Sequence, residues 1–154
     1  MMQEKHHRLQ QSLYSGHRAI AFTCCIEDRK KCFTNDPTFR AIENLFLQSL
    51  QKYKVDAHVY LFMPDHLHLL LEGKTIDANL YECMVHFKQR SGFWLSKNLA
   101  TRWQKDFYDH ILRKDEEIEK HVRYILENPV RKGIVENWKT YPYKGSTVYN
   151  FDQW

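Results

Sequence analysis

The chain has 154 residues, 43% of them apolar and 27% charged, with only 5 Gly and 4 Pro. That composition suits one packed domain and excludes disorder, collagen-like repetition and low complexity. Net charge is +4, from 23 basic and 19 acidic residues, too small an excess to prove a nucleic-acid partner. Short basic clusters (Lys5–Arg8, Arg29–Lys31, Lys88–Arg90, Arg113-Lys114, Arg131-Lys132) and 14% aromatic content are nonetheless the ingredients of phosphate neutralisation and base stacking. No apolar run approaches the roughly 20 residues of a membrane span, and the polar start has no signal-peptide core. Cys24, Cys25, Cys32 and Cys83 include no CxxC pair, so a reduced, cytoplasmic chain is expected.

Residues 1–12 are polar and predict a flexible arm on a single domain spanning 1–154. Arg18–Ile26 is rich in β-formers and predicts the first strand. Asn35-Asp36-Pro37 is a helix start, and Phe39, Ile42, Leu45, Phe46 and Leu50 carry helical spacing to about Tyr53. Two apolar strands follow, Val55–Met63 and His66–Glu72, separated by Pro64-Asp65. Leu80–Leu99 predicts a second helix, and Trp103–Leu112 a further strand. Asp115-Glu116-Glu117 opens a third helix, which must end near Asn128 because Pro129 disfavours helical geometry in the residue before it. Residues 130–154, with scattered Trp, Tyr and Phe, predict a tail wrapping back onto the domain. The order strand, helix, strand, strand, helix, strand, helix predicts an α+β fold. Its first six elements form a ferredoxin-like split βαβ unit, an antiparallel sheet with helices on one face.

His66 and His68 stand two apart on a predicted strand, so both imidazoles point to one face while Leu67 and Leu69 enter the core. Such a pair is either half of a divalent metal site or two hydrogen-bonded, inert histidines, and spacing alone favours the second. His58 and His86 have no such partner and are read as structural. On the third helix, Ile118, Val122, Ile125 and Leu126 form the apolar stripe at roughly 100° per residue. Glu117, His121, Tyr124 and Asn128 line its border. A tyrosine there can show its hydroxyl to a cleft, and an Asn one turn on can offer an oxygen ligand. A seam tyrosine and a helix-stopping Asn would look the same.

Taken together these segments resemble the single-tyrosine HUH transposases (His, hydrophobic, His), and within them the REP-associated tyrosine transposases. Met63-Pro64-Asp65-His66-Leu67-His68-Leu69-Leu70 matches that family's Met-Pro-Asn-His-Val-His-Leu-Leu segment. Trp103-Gln104, Phe107-Tyr108-Asp109-His110 and Arg113 match its second block. Tyr124-Ile125 with Asn128-Pro129-Val130-Arg131-Lys132-Gly133-Ile134-Val135 matches its Tyr-Ile…Asn-Pro-Val-Arg-Ala-Gly-Leu-Val signature. The blocks fall in family order across roughly Leu13 to Ser146. Asp65 departs from the family's Asn and, one residue from His66, is expected to face away from a metal. Gly145-Ser146 stands where a Ser-Ser pair is common, which puts any substrate contact by that pair in doubt.

The resemblance implies cleavage and rejoining of single-stranded DNA beside a hairpin, in a cytoplasmic, nucleoid-associated protein. Tyr124 would be the nucleophile, leaving a 5′-phosphotyrosine and a free 3′-hydroxyl. A phenol titrating at about 10 is a poor nucleophile at neutral pH and needs activation. His66, His68 and Asn128 would hold Mg²⁺ or Mn²⁺ against the scissile phosphate. Arg113, Lys114, Arg131 and Lys132 flank the Tyr124 helix and are expected to hold DNA phosphates, with His110 and His121 as auxiliary candidates. The family includes monomers and homodimers. Two alternatives stand beside this reading: a rolling-circle or relaxase-type nickase, and a non-catalytic hairpin DNA- or RNA-binding module on the same fold. A zinc-stabilised domain built on Cys24, Cys25 and Cys32 lacks paired ligand spacing.

Overall fold

Local capping chemistry sets the helix boundaries in the computed structural model, which describes residues 11–112 and 115–154. The Asn35 side chain accepts from Thr38 N at 3.0 Å and opens α1 (Asp36–Tyr53), with Pro37 in the first turn where no intrahelical N–H is needed. Asn79 opens α2 (Leu80–Leu99) the same way, accepting from Glu82 N at 3.0 Å. Lys54 and Ala100, both left-handed (φ 59° and 52°), end the two helices.

Strands β1 (Ala19–Cys25), β2 (Val55–Met63), β3 (His66–Gly73) and β4 (Tyr108–Leu112) pair antiparallel. A short β5 (Lys144–Gly145) joins the outer edge of β2, giving the order β4-β1-β3-β2-β5. The first four strands and two helices make the ferredoxin-like arrangement expected from the element order. β4 is shorter than the strand predicted over Trp103–Leu112. Trp103 makes only an isolated bridge to Ile26, and Asp106 turns left-handed (φ 66°), which interrupts an extended run.

Strand alternation divides the apolar residues between two cores. Leu67, Leu69 and Leu71 of β3 pack with Ile42, Phe46 and Phe87 of α1 and α2 on one face. On the other, Leu70 of β3 and Val59, Leu61 and Met63 of β2 pack with Ile118, Val122, Ile125 and Leu126 of α3 (Asp115–Leu126). A bulge between Ala57 and Val59 shifts the β2 register by one, so Ala57 and Tyr60 share a face. His58 occupies that bulge, buried, with Nε2 2.6 Å from Glu72 Oε1 and Nδ1 3.3 Å from Tyr149 Oη.

α3 stops at Leu126, two residues before the predicted limit, and a separate one-turn helix α4 (Asn128–Arg131) follows. Pro129 falls in the first turn of α4, where its missing N–H costs nothing. The tail returns to the sheet. Tyr141 Oη donates to Phe62 O at 2.5 Å, Phe62 N donates to Tyr143 O at 2.8 Å, and Thr147 N donates to Ala57 O at 2.9 Å. Trp138, Tyr149, Phe151 and Trp154 then pack beside α3. The predicted arm lies outside the described residues up to residue 10; Gln11–Tyr14 forms a single 3₁₀ turn whose Tyr14 is buried. No helix among the described residues is long and apolar enough to cross a membrane.

Candidate active site

The imidazoles of β3 project to the face that carries α3, opposite the α1/α2 layer. Register places His66 between Cys25 of β1 and Met63 of β2, and His68 between Thr23 and Leu61. The two rings stand at 88° with centroids 4.7 Å apart, and their Nε2 atoms are 3.1 Å from one another. That is the separation of neighbouring ligands on one ion when each bond is about 2.1 Å.

The outer nitrogen of each ring is engaged elsewhere. His66 Nδ1 donates to Asp65 Oδ1 at 2.6 Å, and Thr23 Oγ1 lies 3.2 Å from His68 Nδ1. This leaves Nε2 of His66 as the lone-pair nitrogen and lets His68 present its own. Burial lowers the His66 pKa, against the opposing pull of Asp65. Burial, then the neighbouring His66 and Arg131, push His68 down to about 3. Both rings are therefore neutral at pH 7, the state in which imidazole binds a cation. Asp65 lies on the Nδ1 side of His66, away from the paired Nε2 atoms. It sits in the turn ahead of β3, where strand alternation does not apply, and it folds back onto the far nitrogen of His66.

A cleft of about 480 Å³ opens beside the pair. Its wall includes His68, Tyr124, Asn128, Arg131, His110 and His121. Tyr124 is 60% exposed although its helix is packed on the sheet, because it sits at the border of the apolar stripe. Asn128 is buried (7% exposed) at the start of α4, so its amide depends on groups within the cleft. Arg131 reaches back over both, with Nη2 donating to Tyr124 O at 2.8 Å and standing 3.5 Å from Asn128 Oδ1. His121 lies on α3 with its ring centroid 6.2 Å from that of Tyr124, and burial followed by His110 lowers its pKa.

The cleft thus gathers His68, Tyr124, Asn128, Arg131, His110 and His121, with His66 buried against His68. Lys132 is exposed just beyond it on the same turn. Arg113 and Lys114 lie outside the described residues. Among the described residues no third His, Cys, Asp or Glu joins the imidazole pair. The donor set available to a divalent cation is two neutral imidazoles and the Asn128 amide, a combination compatible with such an ion. Sequence reasoning missed Thr23 and Arg29. Thr23 meets His68 only through the β1–β3 register. Arg29 reaches the site from the loop after β1, Nε 3.0 Å from Asp65 Oδ2. No local motif signals either.

The chain thus carries paired imidazoles on a ferredoxin-like sheet, beside a helix-borne tyrosine. The family model described as "Transposase IS200 like" matches residues 16–128, and the chain belongs to that family. It is therefore a DNA-processing enzyme by family. A Haemophilus influenzae protein named among the REP-associated tyrosine transposases is 28% identical over 134 residues, covering 79% of this chain and 76% of its own. The Escherichia coli REP-associated tyrosine transposase is 25% identical over 88 residues, 57% of this chain, which spans about half (52%) of that relative's length. Among solved structures, a REP-associated tyrosine transposase bound to a REP hairpin matches with a TM-score of 0.76 at 20% identity, over 93% of this chain and 82% of its own. A transposase-like protein from Deinococcus radiodurans matches at 0.53 and 14% identity, over 73% and 91%. At these identities the two structures speak for the fold.

Proposed function

We propose that this chain cleaves and rejoins single-stranded DNA beside a hairpin through a covalent bond to Tyr124. The observation that carries the reading is one cleft shared by His68, Asn128 and an exposed Tyr124, with His66 Nε2 3.1 Å from His68 Nε2. Family membership supports DNA as the substrate, and the hairpin follows from the ligand named for the structural relative.

His66, His68 and Asn128 would hold Mg²⁺ or Mn²⁺, and the cation would supply positive charge to stabilise the phosphate under attack. Tyr124 Oη attacks the phosphorus, the Oη–P bond forms and the P–O3′ bond breaks. The product is a 5′-phosphotyrosine, and the departing 3′ oxygen takes a proton from water. The phenolic proton leaves to water in the open cleft, whose wall His110 and His121 share with Tyr124. Attack by another 3′-hydroxyl reverses the step and joins strands with no external energy source. Arg131 and Lys132 supply cations to the DNA backbone. Tyr124 acts in the subunit that carries its metal ligands.

Incubation with Mn²⁺ and hairpin-bearing single-stranded DNA is expected to give a denaturation-resistant protein–DNA adduct that Tyr124→Phe abolishes. Hairpin binding without adduct, across varied hairpins, would instead identify a non-catalytic binding module.

A further inference from the structure

The Pro64-Asp65 turn is held more firmly than a strand connection requires. Cys32 N and Phe33 N both donate to Pro64 O, at 2.8 and 3.0 Å, and Ile26 N donates to Asp65 O at 2.9 Å. The loop after β1 is thereby stitched across the turn that precedes His66. Within that loop Asp28 and Arg29 are both left-handed (φ 58° and 54°), a conformation non-glycine residues rarely adopt. Such backbone persists where surrounding contacts over-determine it. Its result is to lay the Arg29 guanidinium against Asp65, Nε to Oδ2 at 3.0 Å.

The Asp65 carboxylate is consequently gripped at both oxygens, by Arg29 at Oδ2 and by His66 Nδ1 at Oδ1 (2.6 Å). The geometry points to Asp65, braced by Arg29, as a positioning residue that fixes the His66 ring and strengthens cation binding at the imidazole pair. A carboxylate on the outer nitrogen of a ligating histidine selects the tautomer, makes the inner nitrogen a stronger donor and adds negative charge one ring away from the ion. The Asn expected at this position from the family resemblance could accept the same hydrogen bond but brings no charge. This chain therefore differs from that pattern in a way that acts on the cation.

The inference rests on the imidazole pair being a cation site, and the test separates the two. Metal-free protein is titrated with Mn²⁺, and free Mn²⁺ is followed by its electron paramagnetic resonance signal, with no DNA present. Wild type is expected to bind one ion. Asp65→Asn, which keeps an acceptor of the same shape, is expected to raise the Kd roughly tenfold, and Asp65→Ala up to about a hundredfold. Glu72→Gln removes a similar carboxylate from His58, a histidine outside the cleft, and is expected to leave the Kd unchanged. Wild type that binds no Mn²⁺ overturns the cation site itself. Wild type that binds, with an unchanged Kd in Asp65→Asn, overturns the role of the carboxylate.

Discussion

The Arg131 guanidinium carbon lies 3.8 Å from the centre of the Tyr124 ring, and the same side chain donates from Nη2 to the Tyr124 carbonyl at 2.8 Å. One residue of α4 thus holds the ring and the backbone of the proposed nucleophile. Tyr124 is otherwise an exposed side chain at a helix border, where a phenol would sample several rotamers.

Replacing Arg131 should therefore act on turnover as well as on DNA affinity. An exposed cation–π contact is worth about 0.5–1 kcal/mol, and a hydrogen bond from a charged donor about 1.5–3. Arg131→Ala is expected to slow adduct formation at saturating DNA by tenfold or more, each tenfold corresponding to about 1.4 kcal/mol. Arg131→Lys should recover DNA affinity better than rate, because an ammonium keeps the charge but lacks the planar fork that stacks and donates together. Single-turnover adduct kinetics over a range of DNA concentrations would separate the two. A variant that changes only the DNA concentration for half-saturation would reduce Arg131 to a phosphate contact.

Mixing two inactive variants tests which subunit supplies the tyrosine. The described cleft brings Tyr124, Asn128 and His68 together within one chain. His68→Ala mixed with Tyr124→Phe is accordingly expected to form no adduct. Recovered adduct in the mixture would mean that the tyrosine is exchanged between subunits.

β1, β2, β3, both long helices and the alternation that turns His66 and His68 toward one face are legible because each follows from local chemistry, whereas the start of β4 and the short β5 are not. Asn caps, Pro in first turns and period-two apolar runs act within a few residues of one another. The environment of the imidazoles was not legible. Thr23 reaches His68 across 45 positions of sequence, and Arg29 reaches Asp65 across 36. Such contacts depend on strand register and on a left-handed turn at residues with no glycine to announce it. Asp65 illustrates the limit well. Its place beside His66 gives no sign that the carboxylate engages the outer nitrogen of that ring, because the turn ahead of β3 has no alternation to read.

At Gly145, where the family resemblance leads one to expect serine, the structure leaves no room for a side chain. It pairs with Tyr60 across β2 and β5, and a Cβ at this position would collide with the Oη and Cζ atoms of the Tyr60 ring. The ring covers the glycine in the manner of an aromatic shielding an edge glycine, and Tyr60 Oη is fixed by donating to Glu43 Oε2 at 2.6 Å. A serine cannot be placed there without moving the ring. Gly145→Ser is expected to destabilise the fold by about 1–3 kcal/mol, the usual cost of forced repacking. Combined with Tyr60→Val, which empties the space, it should cost less than the sum of the single changes. Denaturant unfolding of the four proteins would measure the coupling, and strict additivity would show that the ring yields freely.

Cys83 gives the chain a calculable sensitivity to alkali. It is fully buried on α2 in the core shared with α1, and that burial pushes its thiol pKa up to about 12. In the unfolded chain a thiol titrates near pH 8.5, at about the ordinary value. Between these limits the unfolded state releases a proton that the native state keeps, so unfolding becomes easier as pH rises. The loss is about 1.4 kcal/mol per pH unit for one thiol. Below pH 8 both states hold the proton and the contribution vanishes. Cys83→Ala should start less stable through its lost packing, yet lose less stability on going to pH 10, the difference between the two proteins narrowing by about 2 kcal/mol. Other alkaline-titrating groups are common to both chains and cancel in that comparison. Unfolding midpoints measured at pH 7.5, 9 and 10 that fall in parallel would show that the Cys83 thiol ionises in the native protein.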